Sequence, residues 1–343
     1  MIDLADLPLE IILNVTIFLS DKDILSLCIS TKQLFYVLHA VKIRRKVEFS
    51  AIKSLPYFDS FLNVRYERFQ ILFPKNIQIL HWDGCAKLPK MLPDTIINFH
   101  YECSSDNSYP LETLPLSLQC LNLVGSHREP LPLLPDTLKI LDLGYKYDHD
   151  LQLPHSLTIL ILSYFYNRKL PKLPNSLLKL KLSFDYDQPL PPLPNSLKYL
   201  FLGSRFSHSL TELPASLTYL SLSHYFNQQL PRLPDALLEL KVHCKCNIQL
   251  PELPNSLTCL EISDEYTRQL PELPNSLKVL VLGRNYNSPF QKLPASLTDL
   301  HLGYNYNQLL PQLPDSLQKL TVRKSLPLSQ NISPKITIQY IIY

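Results

Sequence analysis

A serine recurs along the chain at one fixed place in a repeated phrase, and a serine hydroxyl is a possible nucleophile. A catalytic serine is normally a single residue that a neighbouring base activates. Here the same position is occupied by Ser156, Ser176, Ser196, Ser216, Ser256, Ser276, Ser296 and Ser316. A hydroxyl repeated in this way is typical of hydrogen bonding in turns. We therefore expect these serines to be structural.

A small group of histidines and cysteines is a candidate metal site. His243, Cys244 and Cys246 lie close together, and His224 precedes Cys244 by twenty residues. Their spacing matches no zinc signature, and ordinary positions at the edge of a strand explain them better. The sequence also lacks a glycine-rich phosphate loop and a convincing catalytic triad. It therefore predicts no enzyme, no catalytic residue, no metal and no cofactor.

Aromatic and basic side chains are placed where they could bind another protein. Adding twenty residues to an outward position gives its neighbour in the next segment, so Tyr199, Phe201 and Tyr219 are expected to cluster. Lys181 and Arg205 flank this group. Aromatic residues and arginine are favoured at the energetic centres of protein interfaces. We predict that these five residues bind a protein substrate; the alternative is that the aromatic side chains only pack within the face.

The elements that would position these residues follow from an internal repeat. A Leu-Pro-x-Ser-Leu phrase, or a close variant, begins every twenty residues at Leu153, Leu173, Leu193, Leu213, Leu233, Leu253, Leu273, Leu293 and Leu313. Looser copies begin at Phe73, Leu92, Leu114 and Leu134. Self-similarity at this period indicates a solenoid of stacked coils. About thirteen coils would occupy residues 73–343.

One coil can be interpreted residue by residue. Leu177, Leu180 and Leu182 have the L-x-x-L-x-L spacing of a strand whose leucines point inward, so stacked coils predict one parallel sheet. Prolines three residues apart remove backbone donors and disfavour a helix, which predicts an extended, proline-rich convex side. Because the chain has only six glycines, we expect Asn and Asp to form tight corners in left-handed geometry.

These features resemble the FNIP repeat, a relative of the leucine-rich repeat that is associated with social amoebae and the giant viruses of amoebae. The resemblance rests on an aromatic-Asn corner followed by Leu-Pro-x-Ser-Leu-x-x-Leu-x-Leu. The best copy is "YNQLLPQLPDSLQKLTV", which begins at Tyr306. Cys246 at an aromatic corner and Ala236 at a serine position depart from the pattern. The resemblance implies a β-rich, leucine-rich-repeat-like solenoid built from 20-residue coils.

Residues 1–45 lack this periodicity and predict three short helices. Pro8 suits the start of the first helix, Ser20 can cap the second, and Ser30 begins a capping-box match for the third. Two roles fit such a small all-α unit. It could cap the open edge of the solenoid, or it could dock on a partner through surplus aliphatic surface. Residues 46–72 follow neither pattern, and we interpret them as a linker with an irregular first coil.

The same N-terminal stretch resembles an F-box, which favours the docking role. The matching residues, in order, are Leu7-Pro8, Glu10-Ile11, Leu19-Ser20, Asp23-Ile24-Leu25, Lys32 and Phe35. The tryptophan that F-boxes carry near their end is missing, since the only tryptophan is Trp82. F-boxes bind the Skp adaptor of cullin-based SCF ubiquitin ligases. The resemblance implies that the adaptor-binding residues are Leu7, Pro8, Ile11, Ile12, Leu19 and Leu25.

Composition argues against several other partners. The formal net charge of +3 is too small to favour nucleic acid, and no run of apolar residues is long enough to span a bilayer. Acidic residues near the N-terminus argue against a secretory signal. Seven cysteines at irregular spacing fit a reducing compartment better than a disulfide scaffold. We expect no nucleic-acid or membrane partner, and a cytoplasmic location (the host cytoplasm if the chain is viral) with the nucleus as the alternative.

The two resemblances together imply a non-enzymatic substrate receptor. In an SCF-type ubiquitin ligase, the F-box would dock on the Skp adaptor while the repeats bind an unknown protein target. The alternative is a non-catalytic scaffold that binds a partner without ubiquitin transfer. Bacterial effector ubiquitin ligases also carry 20-residue Leu-Pro repeats, but they append a large catalytic domain with an essential cysteine. Here the repeats extend to Leu320 and the last 23 residues contain no cysteine, so we do not expect that class.

Overall fold

A computed structural model describes residues 16, 19–30, 41–66, 72–83, 87–103, 109–245, 247–326 and 333–341. The chain divides into two compact units, Met1–Pro154 (the first unit) and His155–Tyr343 (the second unit). Each unit is a parallel β-solenoid in which one turn of chain adds one strand. Among the described residues, no helix is both long and apolar enough to cross a membrane.

Among its described residues, the first unit contains six parallel strands and short helical elements. Its strands are β1 (Val47–Glu48), β2 (Asn63–Tyr66), β3 (Ile79–Asp83), β4 (Asn98–Cys103), β5 (Cys120–Gly125) and β6 (Ile140–Asp142). Its helical elements, within the part that the structure describes, are α1 (Asp21–Ser30), α2 (Phe49–Ile52) and a 3-10 helix (Phe58–Ser60). The sheet therefore accounts for most of the regular structure here.

The sheet begins before the first Leu-Pro-like phrase. β1 pairs with β2, and β2 with β3, in parallel register. Ile43 and Phe61 add a parallel bridge ahead of them. Val64 and Tyr66 alternate inward along β2 and are fully buried, like the leucines of later coils. The segment 46–72, interpreted above as a linker with an irregular first coil, thus contributes two strands to the sheet.

Helix α1 begins where the sequence predicts a capped helix. The Ser20 hydroxyl accepts a hydrogen bond from the backbone N–H of Asp23 (3.3 Å) and donates one to the Asp23 carboxylate (2.5 Å). The Asp21 carboxylate accepts hydrogen bonds from the backbone N–H groups of Arg44 (2.9 Å) and Arg45. These bonds tie the first turn of α1 to the chain segment that leads into β1. The N-cap prediction at Ser20 is confirmed.

Most of the predicted F-box lies outside the described residues. This applies to four of the predicted adaptor-binding residues, Leu7, Pro8, Ile11 and Ile12. Leu19 immediately precedes the capping serine of α1, and Leu25 lies within the helix. Ile24, beside Leu25, is buried with 4% of its surface exposed. The structure describes one helix of the three predicted, so it does not confirm an all-α N-terminal domain.

The second unit contains ten parallel strands in the part of it that the structure describes. They are β7 (Ile159–Ile161), β8 (Lys179–Lys181), β9 (Tyr199–Phe201), β10 (Tyr219–Leu222), β11 (Glu239–Val242), β12 (Cys259–Ile262), β13 (Val279–Val281), β14 (Asp299–His301), β15 (Lys319–Arg323) and β16 (Thr337–Ile341). From β7 to β15, paired residues are twenty apart, as the repeat predicts. β16 carries no Leu-Pro phrase, yet it pairs with β15. The described residues after 72 thus contain fourteen strands, one more than the predicted thirteen coils.

The predicted leucine core is confirmed, and the described return path contains no helix, as the prolines predict. Leu177 and Leu180 are fully buried, and Leu182 is 4% exposed. No helix occurs in the described residues between one strand and the next from β3 to β16. Each regular coil instead reverses at its Leu-Pro-x-Ser-Leu phrase, where, for example, the Leu177 N–H donates to the Pro174 carbonyl (3.1 Å). Proline therefore shapes a short turn and excludes a helix on this side.

The repeated serines connect neighbouring coils. The Ser176 hydroxyl donates a 2.7 Å hydrogen bond to the Leu157 carbonyl, nineteen residues earlier and in the preceding coil. The equivalent bond, 2.6–2.8 Å long, is made by Ser196, Ser216, Ser256, Ser276, Ser296 and Ser316. The structural role predicted for these serines is confirmed, but the bond joins two coils and does not close a turn within one.

The corners differ from the prediction. No described residue other than glycine has a positive φ; Gly125 and Gly144 have one, so left-handed Asn and Asp corners were a wrong prediction. Asn167 instead uses its side chain, whose Oδ1 accepts a hydrogen bond from the Asp187 N–H (2.9 Å). Asp187 repeats this bond with the Ser207 N–H (3.0 Å). The short polar side chain satisfies a backbone donor of the next coil, which needs no left-handed backbone.

Candidate protein-binding surface

The outward residues of β7–β12 form one face because the strands pair in register. Side chains alternate along a strand, so Tyr199 and Phe201 point outward on either side of the fully buried Leu200. The register places Tyr199 between Lys179 and Tyr219. Two columns of outward side chains therefore cross the strands, as the twenty-residue period predicts.

Three aromatic residues meet on this face, and we call Tyr199, Phe201 and Tyr219 the aromatic cluster. The rings of Phe201 and Tyr219 lie with their centroids 4.5 Å apart, and those of Tyr199 and Tyr219 lie 6.3 Å apart. Tyr199 is 44% exposed, while the other two side chains are half-buried. Burial raises the pKa of Tyr219, which keeps its hydroxyl neutral at physiological pH. The predicted clustering of these residues is confirmed.

Lysines border the aromatic cluster on the β8 side. The Nζ of Lys179 lies 5.3 Å from the centroid of the Phe201 ring, within the range of a cation–π interaction. Lys181 is exposed and pairs in register with Phe201. Lys198 is exposed beside Tyr199. Lys179 was not among the predicted site residues, although its position twenty residues before Tyr199 gives the signal that could have found it.

Arg205 lies at the turn that follows β9, away from the strand positions of the aromatic cluster. Its Nε forms an ion pair with Oδ1 of Asp185 (3.2 Å), and its guanidinium carbon lies 6.0 Å from the centroid of the Phe184 ring. The backbone N–H of Arg205 donates to the Phe184 carbonyl (2.9 Å). Arg205 is therefore held by the preceding coil at the edge of the face.

On the opposite side of the aromatic cluster, the charged side chains are either acidic or paired with a neighbour of opposite charge. Exposed Glu239 pairs in register with Tyr219. On the next strand, Glu261 forms ion pairs with Nζ of Lys241 (2.9 Å) and Nε2 of His243 (3.1 Å). Burial alone would raise the pKa of Glu261, but the hydrogen bonds from Lys241 and His243 give a net lowering. This side therefore offers little free positive charge.

The histidine and cysteine group lines a cleft beside this border. The cleft has a volume of about 420 Å³, and its lining includes His224, His243, Cys244 and His301. Cys246 lies outside the described residues. No group of three or more His, Cys, Asp or Glu side chains in the described part of the chain could hold a metal ion. His243 instead bonds to Glu261, as an ordinary surface histidine does.

The outward face of the first unit is also polar, but its charges are paired. Glu102 receives Nη2 of Arg65 at 2.9 Å and Nζ of Lys46 at 3.5 Å. The rings of His81 and His100 stack beside it, with centroids 4.5 Å apart and planes 7° from parallel. Burial lowers the pKa of His81 to about 4 and also lowers the pKa of His100. Both rings are therefore neutral at pH 7, and the cations already have an acidic partner.

Known proteins share the repeat and the fold. The FNIP Repeat family matches residues 291–325, which include the copy that begins at Tyr306. CroV588, a circular leucine-rich-repeat protein, is 24% identical with a TM-score of 0.62, over 82% of this chain and 53% of that chain. YopM from Yersinia enterocolitica is 26% identical with a TM-score of 0.65, over 82% and 64%. YopM from Yersinia pestis, a leucine-rich effector protein, is 24% identical with a TM-score of 0.51, over 73% and 84%.

These likenesses have a limited extent. This chain spans about half the length of the circular protein and less than two thirds of YopM from Yersinia enterocolitica. No curated protein sequence matches it. The shared solenoid and the family match at residues 291–325 nevertheless agree with the repeat found along the sequence. Residues 291–325 therefore match the FNIP repeat, and the chain folds as a leucine-rich-repeat-like scaffold of a kind typical of protein–protein interaction.

Proposed function

We propose that this protein is the substrate-recognition subunit of an SCF-type ubiquitin ligase. The sheet face of the second unit binds a protein target, and residues 1–45 dock on the Skp adaptor of a cullin ligase. The protein itself carries out no chemistry, because other subunits supply the transferring enzyme. The observation that carries the target-binding half is the aromatic cluster with its adjoining lysines.

The aromatic cluster has the composition of an interface centre. Tyrosine supplies large contact area at a small cost in side-chain entropy, and a few such residues usually dominate the binding free energy. Tyr199 is open to a partner, while Phe201 and Tyr219 pack against each other and need little rearrangement. Lys181 adds a charge in the same column as Phe201, and Arg205 borders the face at its edge. These five residues form the proposed target-binding site.

The adaptor-binding half is supported by the F-box resemblance of residues 1–45. The proposed contact residues are Leu7, Pro8, Ile11, Ile12, Leu19 and Leu25. The Ser20 cap fits this proposal, because it starts α1 at the place where the second helix of the motif is expected. The proposal also carries the expectation of a cytoplasmic or nuclear location.

A second candidate function is that of a scaffold that binds its partner without ubiquitin transfer. A specific observation favours it. Asp21, in the first turn of α1, accepts hydrogen bonds from the backbone N–H groups of Arg44 and Arg45, next to the first strand of the sheet. A helix in this position serves as an end cap, which every solenoid requires. In that case residues 1–45 would stabilise the fold and recruit nothing.

Co-purification with a Skp adaptor tests the ligase proposal. We expect the full chain to retain the adaptor, and Leu7→Ala/Pro8→Ala to lose it. The control is Met91→Ala/Leu133→Ala, which removes two aliphatic side chains that are 83% and 80% exposed on the first unit; this variant should retain the adaptor. If the unaltered chain fails to bind, or if Leu7→Ala/Pro8→Ala binds equally well, the adaptor role is wrong and the scaffold function remains.

A further inference from the structure

We propose that the sheet face of the second unit binds a peptide segment in which an acidic residue is flanked on both sides by apolar residues. The proposal rests on the target-binding half of the proposed function and is independent of the Skp adaptor. It states which kind of peptide the face binds; the aromatic cluster by itself does not indicate the chemistry of the target segment.

The order of side chains across four neighbouring strands carries this inference. The outward residues are isoleucines on β7, lysines on β8, Tyr199 and Phe201 on β9, and Tyr219 and Ser221 on β10. Ile159 pairs with Lys179, and Ile161 pairs with Lys181. The two lysines therefore lie between an apolar row and an aromatic row.

The lysines of this face lack an acidic partner. Within the described residues, Lys179, Lys181 and Lys198 form no ion pair, and the outward positions of β7–β10 hold no carboxylate. The cations of the first unit's face, by contrast, are paired with Glu102. A carboxylate that docks over β8 would meet two ammonium groups and would be partly shielded from water by the apolar rows. Charge pairs strengthen as the surrounding dielectric falls.

The spacing of the strands sets the length of the segment. Adjacent strands lie about 4.8 Å apart, so the distance from β7 to β10 is roughly 14 Å. An extended chain advances about 3.3 Å per residue, so roughly five residues cover this distance. A segment that crosses the strands would therefore place its acidic residue over β8, with apolar residues one or two positions away on each side.

A single-stranded nucleic acid is the other anion that lysines and aromatic rings can bind. Its phosphates would repeat along the whole face, and they would meet Glu239 beside Tyr219 and Glu261 on the next strand. A peptide with one central carboxylate avoids both of these acidic residues. The distribution of charge therefore favours the peptide, and an oligonucleotide becomes a competing outcome of the test.

The repeat supplies a matched control for the charge. Lys198 and Lys278 occupy the same position of their coils, both are exposed, and both carbonyls accept two backbone N–H groups of the next coil. Lys198 adjoins Tyr199, whereas Lys278 adjoins Val279, four coils further along. A change to glutamate therefore has the same local consequences at both sites and differs in its distance from the aromatic cluster.

The test uses the full chain and an array of short immobilised peptides in which the central residue and its neighbours are varied. We expect strongest binding when Asp or Glu is central and Leu, Ile or Phe lies on both sides. Lys179→Glu/Lys181→Glu should weaken these peptides by about tenfold or more and should prefer peptides with a central lysine. Lys198→Glu should weaken binding, and Lys278→Glu should not. A urea unfolding curve for each variant shows whether it is folded.

Several results would overturn the inference: no preference for a central acid, unchanged selectivity in Lys179→Glu/Lys181→Glu, or equal effects of Lys198→Glu and Lys278→Glu. Binding of an oligouridine probe that Lys179→Glu/Lys181→Glu abolishes would assign the face to nucleic acid instead. Tyr199→Ala separates the two levels of the proposal. Suppose that the peptides that bind best show no preference for an acidic residue. If Tyr199→Ala weakens their binding, the face does bind a partner, and only the proposed chemistry of that partner is wrong. If it changes nothing, the binding face itself is wrong.

Discussion

The outward face of the first unit and that of the second unit are built on the same kind of parallel ladder but handle their charges differently. In the first unit, Arg65 and Lys46 converge on Glu102. In the second unit, Lys179 and Lys181 stand beside aromatic and aliphatic side chains, and neither forms an ion pair with a described residue. The charged side chains of the first face therefore pair with one another, whereas the second face has lysines that can pair with the acidic groups of a partner.

This difference shows which part of a coil is free to specialise. Stacking requires the inward leucines, the serine hydroxyls and the corner side chains, because each of these groups contacts the neighbouring coil. The residues at the two outward positions of each strand differ from coil to coil. The outward side chains can therefore acquire different functions in different coils, although the backbone of every coil is similar. The comparison between the two faces also predicts which substitutions affect stability and which affect binding.

The largest effect is expected where the ladder beneath the aromatic cluster is broken. Gly203 follows β9, and a Cβ added there would collide with the backbone carbonyl of Ser183 in the preceding coil. We expect Gly203→Ala to lower the free energy of unfolding by about 2–3 kcal/mol, since the coils must move apart. Urea unfolding measures the loss, and peptide binding should fall with it.

Serine at the equivalent position of the next coil provides the control for Gly203. The Ser223 hydroxyl donates a 3.0 Å hydrogen bond to the Phe206 carbonyl, and its Cβ is already accommodated. Ser223→Ala should therefore cost only about 1 kcal/mol, the net value of one hydrogen bond. Equal losses for Gly203→Ala and Ser223→Ala would show that close contact between coils does not limit stability.

The next effect is a loss of stability at low pH, which we expect in the first unit because one of its stacked corner rings is a histidine. His127 in the first unit is fully buried and stacks on Tyr147 with a centroid distance of 6.3 Å, whereas the stacked corner rings of the second unit belong to Tyr and Phe. Burial lowers the pKa of His127 to about 4. Between this pKa and the unfolded value of about 6.5, the unfolded chain binds more protons, so stability falls as the pH decreases.

For His127 alone, this loss is about 2 kcal/mol between pH 7 and pH 5. Buried Trp82, the only tryptophan, reports unfolding of the first unit by its fluorescence. His127→Tyr should reduce the loss on acidification, although His81 and His100 will still contribute in the same direction. An unchanged dependence on pH in His127→Tyr would contradict the assignment.

A smaller effect is expected from the paired charges of the first face. The Glu102 side chain is 27% exposed and forms ion pairs with Arg65 and Lys46. Glu102→Gln should lower the free energy of unfolding by about 1 kcal/mol, at the upper end for a partly exposed ion pair. Glu112→Gln is the control, because its 3.8 Å pair with Lys87 joins two exposed side chains and should contribute less than about 0.5 kcal/mol. If the urea unfolding curves of Glu102→Gln and Glu112→Gln were indistinguishable, the ion pairs of Glu102 would not stabilise the first face more than an exposed pair does.

The smallest effect on stability is expected from the lysines of the second face. Lys179→Ala/Lys181→Ala removes two cations that have no ion pair among the described residues. The free energy of unfolding should change by no more than about 0.5 kcal/mol, as for other surface substitutions. A larger loss, measured by urea unfolding, would mean that these lysines stabilise the sheet.

The sequence predicted those features that depend on one coil at a time. The spacing of Leu177, Leu180 and Leu182 defines the inward face of a strand, and the recurrent prolines exclude a helix on the return path. Both predictions hold. The period of twenty also predicted that Tyr199, Phe201 and Tyr219 lie together, as the distances between their rings show.

Features that depend on contacts between coils were harder to predict. A serine or an asparagine side chain can form a hydrogen bond within its own turn or with a neighbouring coil, and the sequence does not distinguish these two choices. Ser176 donates to the preceding coil, and Asn167 accepts from the following coil. β16 was missed because it pairs with β15 without a Leu-Pro phrase. Arg205 was placed beside the aromatic cluster by its sequence distance alone, whereas its ion pair with Asp185 holds it at the edge.

We infer that the sheet face of the second unit is available to a partner, whereas the charged side chains on the face of the first unit pair with one another. The most direct measurement compares urea unfolding and affinity for the best acidic peptide in Glu102→Gln and in Lys179→Ala/Lys181→Ala. We expect opposite outcomes: Glu102→Gln loses stability and keeps its affinity, whereas Lys179→Ala/Lys181→Ala keeps its stability and loses affinity. If both variants lose stability alike, or if Glu102→Gln loses affinity while remaining folded, the distinction between the two faces is contradicted.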